Sequence, residues 1–389
     1  MRNTSLDTLR AIATLMIVAY HILGFGGSGF SLQRRDVFGH IATNLNIGVS
    51  IFFTLSGYLL FKPFAEAILR KTVGPNLKSF YVKRAARIFP GYWVALITLA
   101  LVGAIAIPNA SGLIRNVFLV HPFTASNIFT GITQSWTLSV EVCFYLILPF
   151  IAAALAFITK KMSQEQSVLA LTLALLLLAF LSYAFRILVH FSHLSVLATG
   201  HLTLPAHLDT FALGMLVAVL RSIPNPSSNI VKITKIFTRQ STSILAASVF
   251  CWLLSSRIGL RPRLEPTPFL NDVIGHFLYS ISSFLTLIAF YFHQSTLRNS
   301  GRFLSRSLTW LGSISYGVYL WHHIFVSGLF PEKVMPYLPD DGQILIRFLI
   351  VFPASIAIAS LSFYCIERPL MRLAAKRIKG SDLADRSRE

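Results

Sequence analysis

In LRAIATLMIVAYH, residues 9–21, Arg10 and His21 are eleven positions apart and every residue between them is uncharged. A guanidinium fork suits phosphate or carboxylate, and an imidazole suits proton transfer near neutral pH. Other groups of the same kind recur along the chain. They are Arg84 and Arg87 in YVKRAARIFP, Glu141 in SWTLSVEVCFY, His207 and Asp209 in HLDTF, and the pair His322 and His323 in YLWHH. Arg84 and Arg87, at i and i+3, share a helical face, so two forks can meet one phosphate group. Ser56 and Gly57, in FFTLSGYLL, read as a point of close helix packing.

The elements that must position these groups are set by composition. Of 389 residues, 54% are hydrophobic and only 13% charged, against about 25% charged in a soluble domain. Mean hydropathy is +0.65. Apolar runs of about 20 residues, enough to cross a bilayer, recur near 8–27, 44–61, 88–108, 137–158, 166–187, 206–221, 242–258, 273–293, 308–330 and 343–365. The expectation is an all-α, polytopic membrane protein with about ten transmembrane helices in one unit over 1–366, then a basic tail over 367–389. The formal charge of +19 fits basic loops against an anionic inner leaflet, not nucleic acid. The first segment lacks a small-residue cleavage site after His21 and reads as a retained helix. Cys143, Cys251 and Cys365 fall inside apolar runs, and their odd number points to neither a disulfide framework nor a metal site.

With the N-terminus inside, 25 of the 34 Lys and Arg residues fall on cytoplasmic segments, so the positive-inside rule selects N-in and C-in. The loop with Arg257, Arg261 and Arg263 is basic on the opposite side. At 1.5 Å per residue, His21 stands about 16 Å above Arg10, in the outer half of the membrane. Glu141, Asp209, His322 and His323 fall near that level on helices entering from either side. Arg84 and Arg87 sit just before the third span, on Arg10's side. The pattern is a cationic inner tier below a protonatable outer one, and ionisable groups at such depth are costly enough to suggest function. The loop from Pro108 to Trp136, with Asn109, Asn116, His121 and Asn127, would face outside and is polar enough to touch a molecule there.

Taken in order, these segments resemble the acyltransferase 3 family of membrane acyltransferases nearly end to end. LDTLRAIATLMIVAYH is similar to its first-helix Arg-x10-His signature, IFFTLSGYLL to its second-helix segment, and RAAR at 84–87 to its R-x-x-R motif. SWTLSVEVCFYLILP resembles its W-S-L-x-x-E-x-x-F-Y stretch, with Val142 where a second Glu is usual. HLDTFALGMLVA, LGSISYGVYLWHH and IERP fit later landmarks.

The resemblance implies transfer of an acyl group, commonly acetyl, from cytoplasmic acyl-CoA to a hydroxyl of a carbohydrate or lipid-linked glycan. It implies no cofactor beyond acyl-CoA as co-substrate and no metal. The setting it implies is a bacterial cytoplasmic membrane, with membrane lipids as surroundings. On this reading His21 is the base, Glu141 its orienting carboxylate by analogy with a triad, and Arg10, Arg84 and Arg87 hold the CoA phosphates. Trp136, Ser139, Asp209, His322 and His323 are supporting or acceptor-side candidates, and Trp136, Ser139 or an amide near Gly57 could supply oxyanion donors. Direct transfer and a covalent acyl intermediate on His21 stay open. The competing class is a transporter with buried proton-relay groups, against which the paired arginines are the discriminating feature. The acceptor, acyl length and oligomeric state are not set by the sequence.

Overall fold

The computed structural model describes residues 4–25, 37–124, 130–192, 199–224, 226, 228–258, 269–292, 302–328 and 340–386. Asn127, Arg261 and Arg263 lie outside them. Among the described residues all regular structure is helical. The first half comprises α1 (Thr4–Phe25), a short α2 (Val37–Thr43), α3 (Ile47–Arg70), α4 (Leu77–Leu101), a short α5 (Ala110–Val117), α6 (Trp136–Thr159) and α7 (Gln164–Phe191). The second half comprises α8 (Leu208–Ser222), α9 (Ser228–Arg239), α10 (Ser241–Ile258), α11 (His276–Phe292), α12 (Arg302–His323), α13 (Asp340–Ser362) and α14 (Arg368–Arg386).

Among the described residues, seven helical stretches are long and apolar enough to cross a membrane: Thr4–Gly24, Phe38–Arg70, Thr133–Thr159, Gln164–Phe191, Leu204–Ser222, Val273–Phe292 and Gly342–Ile378. This is a multi-pass membrane protein. The other three expected spans also form helices but miss those limits. α4 begins with Lys78, Lys83, Arg84 and Arg87, the apolar part of α10 is shorter, and α12 carries Arg302 and Arg306 with many hydroxyls.

Two boundaries differ from the sequence expectation in ways that matter to the site. α4 starts at Leu77 rather than near residue 88, because Asn76 caps it, accepting from the Ser79 amide at 2.9 Å. Arg84 and Arg87 therefore sit inside a helix and not ahead of one. α3 continues nine residues beyond the expected end, through Lys62 and Glu66, which pair at 3.5 Å one turn apart. It stops at Lys71, whose left-handed φ of 53° terminates the helix.

α1 packs between α3 and α12, α3 also runs along α8 and α6, and α8 is backed by α7 and α11. Glycines permit the closest crossings. A Cβ on Gly57 of α3 would collide with the Phe211 carbonyl of α8, and one on Gly214 of α8 with the Thr54 carbonyl of α3. This reciprocal small-residue contact is how helices approach in lipid, where packing rather than water expulsion drives association. It accounts for Gly57 as packing, as its sequence context suggested. The basic tail continues the chain as α14, which packs against α4, while Glu367 just before it is buried and accepts from Ser362 at 3.0 Å.

Candidate functional site

One cavity collects the arginines. Its wall is built from α1, α3, α4, α6 and α12, and it encloses about 810 Å³ including its open mouth. Arg10, Arg84 and Arg87 line it together with Ser56, Thr137, Glu141, Tyr145, Tyr316 and Tyr319. Among the described residues the buried Arg84 Nε has no hydrogen-bond partner, so a donor stands ready for an incoming acceptor atom. Arg10 is held by Asp7, donating from Nη1 to Oδ1 at 2.9 Å. Three guanidinium groups against one lining carboxylate leave the cavity net cationic, a setting for phosphate oxygens.

Glu141 belongs to this arginine tier. Its Oε1 accepts from Ser56 Oγ at 2.6 Å and from Tyr145 OH at 2.5 Å. The shared level estimated for Glu141 and His21 does not bring them together, since rise along a helix fixes height and leaves azimuth open. His21 instead meets the pair in α12. Its Nδ1 is 3.1 Å from His322 Nε2, and the His21 ring centroid lies 4.8 Å from that of His322 and 5.5 Å from that of His323.

The two tiers join through one helical turn. Ile17 and Tyr319 both line the arginine cavity. The Ile17 carbonyl is 2.8 Å from His21 Nδ1, and the Tyr319 carbonyl is 2.9 Å from His322 Nδ1. The arginine cavity thus ends one turn from the histidines. Such a layout can hold a long anionic molecule by its phosphates and deliver its far end toward an imidazole.

Asp209 lies elsewhere. It is fully buried and accepts from Ser182 at 3.1 Å, Tyr183 at 2.8 Å, Ser280 at 2.5 Å and His276 at 3.1 Å. Its neighbour His207 takes part in a second buried set with Arg186, which donates from Nε to the Ala206 carbonyl at 2.6 Å. These contacts tie α7, α8 and α11 together. Trp136 is buried with its ring 5.6 Å from that of His207, and the Ser139 hydroxyl donates to the Leu119 carbonyl.

The described polar residues of the loop, Asn109, Asn116 and His121, are used internally. Asn109 caps α5, accepting from the Gly112 amide at 2.7 Å, and Asn116 is fully buried, donating to the Gly112 carbonyl at 2.9 Å. His121, also fully buried, sits 3.2 Å from Ser135 Oγ. Reasoning from sequence missed Tyr145, Thr137 and Tyr319 as site residues. A signal existed for the first two, which lie one turn on either side of Glu141 on α6. Tyr319 lies one turn before the histidine pair.

The fold and cavity define a multi-pass membrane protein that gathers arginines inside the helical bundle and leads from them toward histidines. Residues 3–366 match the acyltransferase domain model of the acyltransferase 3 family, and the chain belongs to that family. It is similar to the peptidoglycan O-acetyltransferase OatA of Listeria monocytogenes, 26% identical over 95% of this chain and 56% of the relative. It is also similar to the putative peptidoglycan O-acetyltransferase YrhL of Bacillus subtilis, at 27% over 94% and 54%. A third similarity is to the putative O-acetyltransferase SACOL0978 of Staphylococcus aureus, at 26% over 96% and 58%. The chain thus spans a little over half the length of these relatives. No solved structure matches it significantly.

Proposed function

We propose that the chain is an acyl-CoA-dependent O-acyltransferase of a bacterial cytoplasmic membrane, moving an acetyl group to a carbohydrate hydroxyl. The observation that carries this reading is the shared cavity of Arg10, Arg84 and Arg87, ending one turn from His21 and His322. The names of the relatives support a cell-wall glycan as acceptor. With N-in topology the arginines face the cytoplasmic donor, and the roughly 16 Å rise from Arg10 to His21 is spanned by the pantetheine arm.

In the reaction, the three arginines bind the CoA phosphates by charge-assisted hydrogen bonds. His21 removes the proton of the acceptor hydroxyl as that oxygen attacks the thioester carbonyl carbon. The carbon–sulfur bond then breaks, the sulfur leaves as thiolate, and the imidazolium returns the proton to it. Glu141, held by Ser56 and Tyr145, sets the charge balance of the donor cavity.

Purified protein in detergent, given radiolabelled acetyl-CoA without acceptor, should hydrolyse it slowly or become labelled. Both signals should vanish in His21→Ala. Label retained on the wild-type protein would select the covalent route through His21. Absence of any acetyl-CoA binding would remove the role given to Arg10, Arg84 and Arg87.

A further inference from the structure

We infer that His322 is a positioning residue for His21, fixing the tautomer that leaves His21 Nε2 as the basic nitrogen. The inference rests on the reading of His21 as base.

Hydrogen-bond geometry assigns the protons in two steps. His322 Nδ1 faces two backbone carbonyls, Tyr319 at 2.9 Å and Val318 at 3.2 Å. Carbonyls only accept, so this nitrogen carries the hydrogen, and in the neutral ring Nε2 is left with its lone pair. That lone pair faces His21 Nδ1 at 3.1 Å, and the same Nδ1 faces the Ile17 carbonyl at 2.8 Å. Two acceptors converge on one nitrogen, so His21 Nδ1 carries a hydrogen shared between them. The other tautomer would set a lone pair against two lone pairs. The basic nitrogen of His21 is therefore Nε2.

The two acceptors are not equivalent. Ile17 lies one turn back on the same helix and restrains the ring only locally. His322 comes from α12, so its contact fixes ring rotation relative to a second helix. Its own ring is anchored at Tyr319, whose hydroxyl donates to the Gln134 carbonyl at 2.7 Å and pairs with Thr137 Oγ1 at 2.6 Å. Thr137 lines the arginine cavity. When Nε2 takes the acceptor's proton, His322 still accepts from Nδ1–H and stabilises the imidazolium. A neutral ring thus does the work a carboxylate does in a serine-protease triad, without placing an anion in a fully buried position.

The test compares His322→Phe, which keeps the ring but lacks the acceptor, with His322→Gln, which restores one. For His322→Phe, kcat should fall by about thirtyfold or more, on the scale of general-base effects, while KM for acetyl-CoA stays within about threefold. His322→Gln should recover much of the loss. A kcat near wild type in His322→Phe overturns the proposal, as does equal loss in both variants when both melt like wild type. If the variants do not fold, 15N-histidine spectra of the wild-type protein decide. The His21 signal, identified by its loss in His21→Ala, should report hydrogen on Nδ1, and hydrogen on Nε2 alone overturns the assignment. Full activity in His21→Ala would reject the base reading itself, a separate result from the tautomer.

Discussion

Tyr145 donates its hydroxyl to Glu141 at 2.5 Å from one turn further along α6, so the carboxylate is fixed among the arginines and not against His21. On the proposed function, a carboxylate among guanidinium groups that hold CoA phosphates should cost donor affinity while serving another purpose. Glu141→Gln keeps an oxygen for Ser56 and Tyr145 and removes the charge. CoA affinity, measured by calorimetry in detergent, should hold or tighten up to about threefold, while turnover falls about tenfold or more. Weaker CoA binding would show that Glu141 instead organises the guanidinium groups.

Arg87→Lys retains charge and loses the planar fork. Where a fork binds phosphate bidentately, the exchange costs about 1–2 kcal/mol, or roughly 5- to 30-fold in CoA Kd. kcat at saturating donor should change less than affinity. An unchanged Kd for both Arg87→Lys and Arg84→Lys would separate this cavity from the donor phosphates.

What the sequence made legible follows from what its signals measure. Hydropathy located the long apolar helices but not the short α2, α5 and α9, and spacing placed Arg84 and Arg87 on one face, because both depend on local pattern alone. Depth estimates put His21 with His322 and His323 correctly, since α1 and α12 pack directly against each other. The same arithmetic also joined Glu141 and Asp209 to that level, yet the structure separates them into the arginine cavity and the α7–α8–α11 junction. Which way a helix is turned depends on contacts such as the Gly57–Phe211 crossing, and no single helix encodes that. Asn109 and Asn116 were legible as polar but not as a cap and a buried partner, because that role depends on the chain folding back over them.

Asp209 illustrates the difference between a buried charge that holds structure and one that does chemistry. Four donors from two helices, α7 and α11, converge on its two oxygens. Asp209→Ala removes the acceptor they share, and breaking such a buried set costs about 3–5 kcal/mol. Melting in detergent should drop sharply, with CoA affinity of the surviving folded fraction unchanged. Normal melting combined with lost acyl transfer would move Asp209 into the reaction.

His121 gives the pH dependence of stability a residue-level test. Ser135 donates to the Ile132 carbonyl at 2.6 Å, so His121 Nε2–H donates to Ser135, and its buried Nδ1 has no hydrogen-bond partner among the described residues. Burial pushes the imidazole down to about 4. In the unfolded chain the ring takes a proton near its ordinary value of about 6.5. The contribution of keeping it neutral is thus complete above pH 6.5 and is lost progressively as the pH falls toward 4. His121→Gln removes this titration. The melting-temperature gap between wild type and His121→Gln, followed in detergent from pH 7.5 to 4.5, should shrink by a few degrees as the wild type loses the term the variant lacks. A gap that stays constant would mean that His121 takes its proton at the same pH in the folded and the unfolded chain, so that burial does not control its titration.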